Sequence, residues 1–424
     1  MVQDPAPEIA GTIDYQGVDT GGGGRIRAAT AEFRRATWGL FSAGFATFAL
    51  LYSVQPLLPE FSREFGVTPA VASLALSLST AVLAVFMLIA SSFSDVVGRK
   101  GIMVVALAAS ALATLAVAFA STWPHVLILR TLMGATLSGL PAVAMAYLVD
   151  EVESAAVGRA MGLYIGGSAF GGMSGRLIMS VLVDVTTWRI AMAVLGAVGL
   201  ACAILLWRGL PASRHFQPRR LHLTALAASL AGHLRDPGLR LLFLLAFLLM
   251  GSFVTVYNYI AYRLLAPPYG LSQTAIGLIF ASYLLGSLSS AWMGGLADRF
   301  GRRRVLWAGI VIMLAGILMT LGSGLVLIVG GIAVMTFGFF GAHSIASSWV
   351  GLRANGAKAQ ASSLYLLAYY MGSSLAGTAG GLLWAWSGWH GVVAGVTVLS
   401  TAGLAVSVLL ARIAPPAWMK PGPG

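Results

Sequence analysis

Runs of about 20 mainly apolar residues, parted by short polar joints, fill most of this chain. They fall at about 37–59, 70–93, 102–121, 124–149, 159–181, 189–207, 240–263, 273–293, 305–322, 325–349, 360–385 and 389–411. A helix of that length crosses a hydrocarbon core roughly 30 Å thick. Inside such a core the backbone finds no water, so each run must satisfy its own N–H and C=O groups as a helix. The pattern predicts an all-α integral membrane protein with twelve transmembrane helices.

The runs differ in what else they carry. The third, sixth, ninth and twelfth have no ionisable residue in their interiors, and 190–206 and 392–410 are nearly all Ala, Val, Leu, Ile and Gly. Polar and aromatic groups gather in the others: Tyr52, Gln55, Arg130, Tyr164, Arg176, Tyr257, Asn258, Tyr283, His343, Tyr365, Tyr369 and Tyr370. An arginine at a helix centre costs roughly 2.5 to 3.5 kcal/mol on insertion scales, so Arg130 and Arg176 are functional candidates by default. Arg176 stands two helical turns from Asp184, a potential partner toward the same end. His343 lies near the middle of the tenth run. Imidazole titrates near 6.5, so His343 either carries a coupling proton or stays neutral and hydrogen-bonded. No Asp or Glu lies in the middle of any run, Glu60, Asp150 and Asp184 all being near ends. An interior with cations and no acid favours neutral polyhydroxyl or anionic cargo over lipophilic cations.

Composition agrees: 58% hydrophobic and 9% charged residues, with a mean hydropathy of +0.86, exclude an ordinary soluble protein. With the N-terminus inside, the inside segments hold 21 Lys and Arg and the outside loops only Arg63, Arg189 and Arg263. Positive loops stay in the cytoplasm, so both termini are expected there. The same asymmetry explains the net charge of +12, and basic groups dispersed over several loops do not make a nucleic-acid site. The single Cys202 allows no intramolecular disulfide and reads as packing. The six His and one Cys form no metal or nucleophile set, so no cofactor, no metal and no enzyme activity is expected.

Two loops repeat. Phe93 to Gly101 reads FSDVVGRKG and Leu296 to Val305 reads LADRFGRRRV, with Asp95 and Asp298 203 residues apart. Gly66 and Gly270, Tyr147 and Trp349, Tyr164 and Tyr365, and Trp188 and Trp389 align at nearly the same offset, which argues for duplication. Two such halves, each with this loop after its second span, resemble the major facilitator superfamily of secondary transporters. The resemblance covers nearly everything from Trp38 to Arg412. Stretches such as GSFVTVYNYIAYRL and KAQASSLYLLAYYMGSS are similar to a bacterial inner-membrane branch of drug-proton antiporters and sugar-efflux permeases.

That resemblance implies two pseudo-symmetric six-helix bundles, 37–207 and 239–412, with a flexible cytoplasmic tail at 1–36, a cytoplasmic linker at 208–238 and a cytoplasmic C-terminal tail at 413–424. It implies a substrate site at mid-depth between the halves, lined by Tyr52, Gln55, Arg130, Tyr164, Arg176, Tyr257, Asn258, His343, Tyr365 and Tyr369, with Arg130 and His343 coupling protons. The third, sixth, ninth and twelfth helices would face lipid. The repeated loops would act as a charged latch: Asp95 and Asp298 meeting the positive end of a helix in the other half, Gly98 and Gly301 making the turns, and basic residues, Arg99 and Lys100 with Arg299 and Arg302 in the second copy, pairing with acids at the end of the fourth span such as Asp150 and Glu151, although 351–359 after the tenth span holds no counterpart acid. Gly294 completes the second copy, where the first has Ser91. Span five of proton-driven exporters carries Gly-Pro-x-x-Gly-Gly, and here Ser168 replaces the proline between Gly167 and Gly171-Gly172. The expected function is proton-coupled efflux of drugs, sugars or small metabolites by alternating access across the bacterial inner membrane, by a monomer whose partners are substrate, protons and lipid. Proton-coupled uptake is the alternative, and a membrane-embedded enzyme or sensor a remote one.

Overall fold

The structure is a computed structural model and describes residues 24–215, 223–354 and 357–413, the side chains of residues 91–92, 95–97, 142 and 223–226 lying outside that description. Helix covers each of the twelve apolar runs. The first half comprises α1 (Ala31–Tyr52), α2 (Leu58–Phe65), α3 (Pro69–Val97), α4 (Arg99–Val117), α5 (Trp123–Leu137), α6 (Pro141–Glu151), α7 (Ser154–Val185) and α8 (Trp188–Gly209). A connecting helix, α9 (Leu223–Arg235), leads to α10 (Pro237–Leu265), α11 (Gln273–Ile279), α12 (Ser282–Phe300), α13 (Arg302–Met319), α14 (Leu325–Arg353) and α15 (Lys358–Arg412). Among the described residues, eight helical stretches are long and apolar enough to cross a membrane. One of them is α15, whose 55 residues hold two expected spans on either side of a break at Ser387 and Gly388. Spans one, four and eight are each split between two helices, at 53–57, 138–140 and 280–281.

The duplication is visible in the backbone. Gly66 and Gly270 both adopt left-handed conformations, with φ of 63° and 54°. Gly98 and Gly301, in the repeated loops, have φ of 102° and 89°, a region that side chains with a Cβ rarely enter. Helices α4, α8 and α13 turn large apolar side chains outward, among them Val105, Ile204, Trp207 and Trp307, as expected of helices facing lipid.

Small residues bring the inner helices together. A Cβ on Gly171 would stand 2.0 Å from the carbonyl oxygen of Phe45, so α7 and α1 touch backbone to backbone there. One expectation is corrected at the N-terminus, where residues 1–36 read as a flexible tail. Ile26 is buried, its N–H donating to the Glu151 carbonyl at 2.8 Å and its carbonyl accepting from Glu153 N–H at 3.1 Å, and α1 already begins at Ala31. An apolar side chain and two backbone hydrogen bonds anchor this stretch against the end of α6. Residues 1–23 lie outside the described residues.

Candidate functional site

A cavity of about 260 Å³ lies at mid-depth between the halves. Phe48 and Tyr52 of α1 and Ile165, Ser168, Gly172 and Arg176 of α7 form one wall. Met250 and Phe253 of α10, Tyr283 of α12, Phe339, Phe340 and His343 of α14, and Leu366, Tyr369 and Tyr370 of α15 form the other. Among the described residues, no acidic side chain lines it.

Arg176 is 2% exposed. Its Nε donates to Gln55 Oε1 at 2.7 Å and its Nη1 to the Gly172 carbonyl at 2.5 Å. The guanidinium carbon lies 4.3 Å from the Tyr52 ring centre, 4.8 Å from that of Tyr283 and 5.1 Å from that of Phe280. Cation–π contacts of this kind stabilise a charge that has no carboxylate beside it. Gln55 continues the chain, its Nε2 donating to Asn258 Oδ1 at 2.7 Å in the other half. Across the cavity, His343 Nδ1 lies 3.0 Å from the Tyr365 hydroxyl, and its ring stacks on Phe339 at 5.7 Å.

Among the described residues, hydrogen bonds between the halves gather on the side of this cavity away from the termini. Ser77 accepts from Thr378 at 2.8 Å, and the hydroxyls of Thr80 and Ser374 are 2.7 Å apart. Tyr262 donates to the Leu58 carbonyl at 2.8 Å. Asp184, at the end of α7, accepts from the N–H groups of Gln273 and Thr274 at 2.9 and 2.6 Å, the first turn of α11. Hydrogen bonds between the halves hold that end shut.

Of the residues expected to line the cavity, Tyr52, Arg176, His343 and Tyr369 do so. Gln55 and Asn258 are one layer deeper, in the seal. Tyr257 turns to Ser282 and Thr336, at 2.7 and 2.8 Å, inside the second half. Tyr164 is buried beside the cavity and Tyr365 stands behind His343. Arg130 corrects the expectation most. Its Nε, Nη1 and Nη2 donate to the carbonyls of Ala75, Leu50 and Leu51 at 3.0, 2.9 and 2.6 Å, within the first half and off the cavity wall. For two of the three the reason is local: α1 ends at Tyr52, so the Leu50 and Leu51 carbonyls in its last turn lack the N–H donors that a longer helix would supply, and the guanidinium supplies them. Arg176 pairs with neither Asp184 nor any other described acid.

The repeated loops are partly as expected. Arg99 Nη2 lies 2.8 Å from Asp150 Oδ2, joining the first loop to the end of α6. Glu151 is engaged elsewhere, accepting from His215 N–H at 2.9 Å and facing His215 Nδ1 at 3.1 Å. Lys100 is half-buried, Gly294 borders open space, and Arg299 lies against the Phe300 ring at 5.3 Å. The side chain of Asp95 lies outside the described residues. Asp298 meets Arg302 of its own loop at 3.1 Å, and its side chain is 73% exposed, so among the described residues it reaches no helix of the other half. The carboxylate that does so is Asp184, at the opposite end. Phe253, Phe339 and Phe340 were not foreseeable as lining residues, because in an apolar span an aromatic facing a cavity reads the same as one facing lipid.

The model of the Major Facilitator Superfamily family matches residues 40–266 and 242–423. The chain is 50% identical over 387 residues to the inner membrane transport protein YnfM of Escherichia coli (strain K12), covering 91% of this chain and 93% of that protein. It is 49% identical to the MFS-type transporter YybF of Bacillus subtilis (strain 168), covering 91% and 96%. Its fold is similar to that of a bacterial homologue of the human lysosomal transporter Spinster, with a TM-score of 0.76 at 16% identity over 90% of this chain and 98% of that one. The nucleoside transporter NupG aligns with a TM-score of 0.74 at 12% identity, over 91% and 100%.

Proposed function

The chain belongs to the major facilitator superfamily and is a multi-pass membrane transport protein, and from that premise we propose that it exports a small molecule in exchange for protons by alternating access, with the cavity around Arg176 as its cargo site. The observation that carries this reading is the one-sided seal: a mid-depth cavity between the halves, hydrogen-bonded shut at one end. The Lys and Arg excess assigns the open end to the cytoplasm, so this is the state that loads cargo for export. The bacterial inner membrane is the membrane concerned, as the name of the relative YnfM supports. One chain supplies both cavity walls, so a monomer suffices.

The chain Arg176–Gln55–Asn258 gives cargo a route to the seal. Cargo that competes for Arg176 withdraws a partner from Gln55 and so weakens a bond that holds the halves together. A ligand shifts such an equilibrium only through its different affinity for the two states, and this relay makes that difference local. We assign the coupling proton to His343, the titratable imidazole on the wall. In the outward state the loops containing Asp95 and Asp298 would take over the clasp at the cytoplasmic end.

The test is purified protein in proteoliposomes with an imposed pH gradient and a trapped pH dye. Cargo should move protons in the opposite direction, and His343→Gln should lose proton flux by tenfold or more at saturating cargo, beyond any loss of cargo binding from the missing ring. Unchanged coupling in that variant removes His343 from the proton route, and cargo flux indifferent to the gradient removes antiport.

A further inference from the structure

We infer that the cargo is a small aromatic organic anion, its negative group seated on Arg176 and its flat body held between the rings of the opposite wall. The inference rests on the transport reading and narrows it to one chemical class. Arg176 brings a full positive charge to the wall, and both of its hydrogen bonds end on neutral oxygens, those of Gln55 and Gly172. Its Nη2 makes no hydrogen bond to a described residue. The surrounding rings of Tyr52, Phe280 and Tyr283 offset part of the charge, but among the described residues no carboxylate balances it. A bound anion completes this cation as a charge-assisted, planar pair. A lipophilic cation would be repelled by it.

The rest of the cavity decides between an anion with a polar body and one with an apolar body. Phe253 and Phe339 stack at 3.9 Å and 12°, and Phe340 stands edge-on to Phe339 at 5.4 Å and 89°. His343 lies parallel to Phe339, within 6°. These planes suit a flat ring. A polyhydroxyl body needs a partner for every hydroxyl it brings out of water. Ser168, on this wall, already donates to the Tyr164 carbonyl at 3.1 Å, and the His343 Nδ1 already faces Tyr365, which leaves the tyrosines Tyr52, Tyr283, Tyr369 and Tyr370 to supply hydroxyls in an otherwise apolar lining. Size narrows the class further, since 260 Å³ lies below the 300 to 1,000 Å³ of ordinary drug sites. At about 30 Å³ per water that is the room of roughly nine waters, enough for a molecule of the benzoate to indole-carboxylate range.

The experiment uses the full-length purified protein and four kinds of probe: the carboxylates benzoate, cinnamate and indole-3-acetate; benzamide as a neutral isostere; benzylamine as a cation; and glucose. Calorimetry measures binding, and proteoliposome counterflow measures transport. At least one carboxylate should bind tenfold or more tighter than benzamide, lose that advantage in Arg176→Gln and regain part of it in Arg176→Lys, with benzylamine and glucose not binding. Because the isostere comparison is made on unaltered protein, it stands even where a variant fails to fold. Equal binding of benzamide and the carboxylates, or no binding by any carboxylate, overturns the anion. Counterflow of glucose or benzylamine in place of the carboxylates also overturns it while leaving transport intact. A carboxylate that binds through Arg176 but is never carried overturns the transport reading and leaves the site standing.

Discussion

Arg130 and Arg176 are both shielded from solvent, at 0% and 2% exposure, yet their donors end on different partners. Arg130 donates to two backbone carbonyls where α1 stops, those of Leu50 and Leu51, and to a third, that of Ala75, inside α3, and is fixed there. Arg176 keeps one donor toward a cavity. Replacing Arg130 with Gln should therefore destabilise the first half by about 1 to 3 kcal/mol, the cost of leaving the buried Leu51 carbonyl short of a donor, since the Ser53 and Ser79 hydroxyls still donate to the Leu50 and Ala75 carbonyls. Thermal unfolding in detergent measures this, and cargo affinity of the folded fraction should not change. Intact stability with lost cargo binding would return Arg130 to the cavity. Sequence reasoning ranked the two arginines together because an intramembrane cation announces itself by type, while its partner depends on where another helix ends.

At the scale of helices, the connection into the second half is held by one ion pair. Asp236 caps α10, accepting from Leu239 N–H at 2.7 Å, and also accepts from Arg353 at the end of α14, with Nε at 2.6 Å and Nη2 at 3.1 Å. Partial burial pushes the Asp236 carboxyl up, but the Arg353 hydrogen bonds and the Leu239 N–H outweigh it and hold the group below its ordinary value. A carboxylate depressed in the folded state contributes stability above its unfolded value and loses it as pH falls through the folded one. The contribution should thus be complete at neutral pH and disappear below about pH 4. Asp236→Ala should lower stability at pH 7 by about 1 to 2 kcal/mol, the worth of the cap alone, with the difference from the parent shrinking as pH falls below 4. A pH series of melting curves decides it, and a constant difference down to pH 3 would contradict the assignment. Helix α9, which precedes this cap, was read only as part of a linker, since its 13 residues show no membrane-length apolar run.

Across the whole molecule, the state observed is set by which end the halves share. The seal contains hydroxyl pairs, an amide pair and one carboxylate on a helix start, each weak by itself: an exposed carboxylate at a helix N-terminus is worth about 0.3 to 1 kcal/mol. Weak bonds in parallel suit a seal that must open in every cycle, because a few kcal/mol moves a two-state equilibrium almost completely. The native Cys202 is buried, so an added pair reports cleanly. Ser77→Cys with Thr378→Cys, at hydroxyls 2.8 Å apart, should form a disulfide that holds the far end shut. Transport should fall at least tenfold, cargo should still bind from the cytoplasmic side, and a reductant should restore flux. Full transport in the oxidised protein would mean that this end need not open.

The sequence by itself determined the helices, the duplication, the family and the excess of cations over acids in the interior, because each is written in local composition: apolar length, matched glycines at the turns, and charge placed near or far from span ends. Even the left-handed turns at Gly98 and Gly301 are legible, since the backbone there excludes a Cβ. Only the tertiary structure decided which polar groups face the cavity, and it divided Arg130 from Arg176, Gln55 and Asn258 from Tyr52 and Tyr369. It also made Asp184 a contact between the halves and left Asp298 within its own loop. Those outcomes follow from helix rotation and from which ends of the two bundles meet, and a membrane span, apolar on every side, carries no periodic signal that fixes either one.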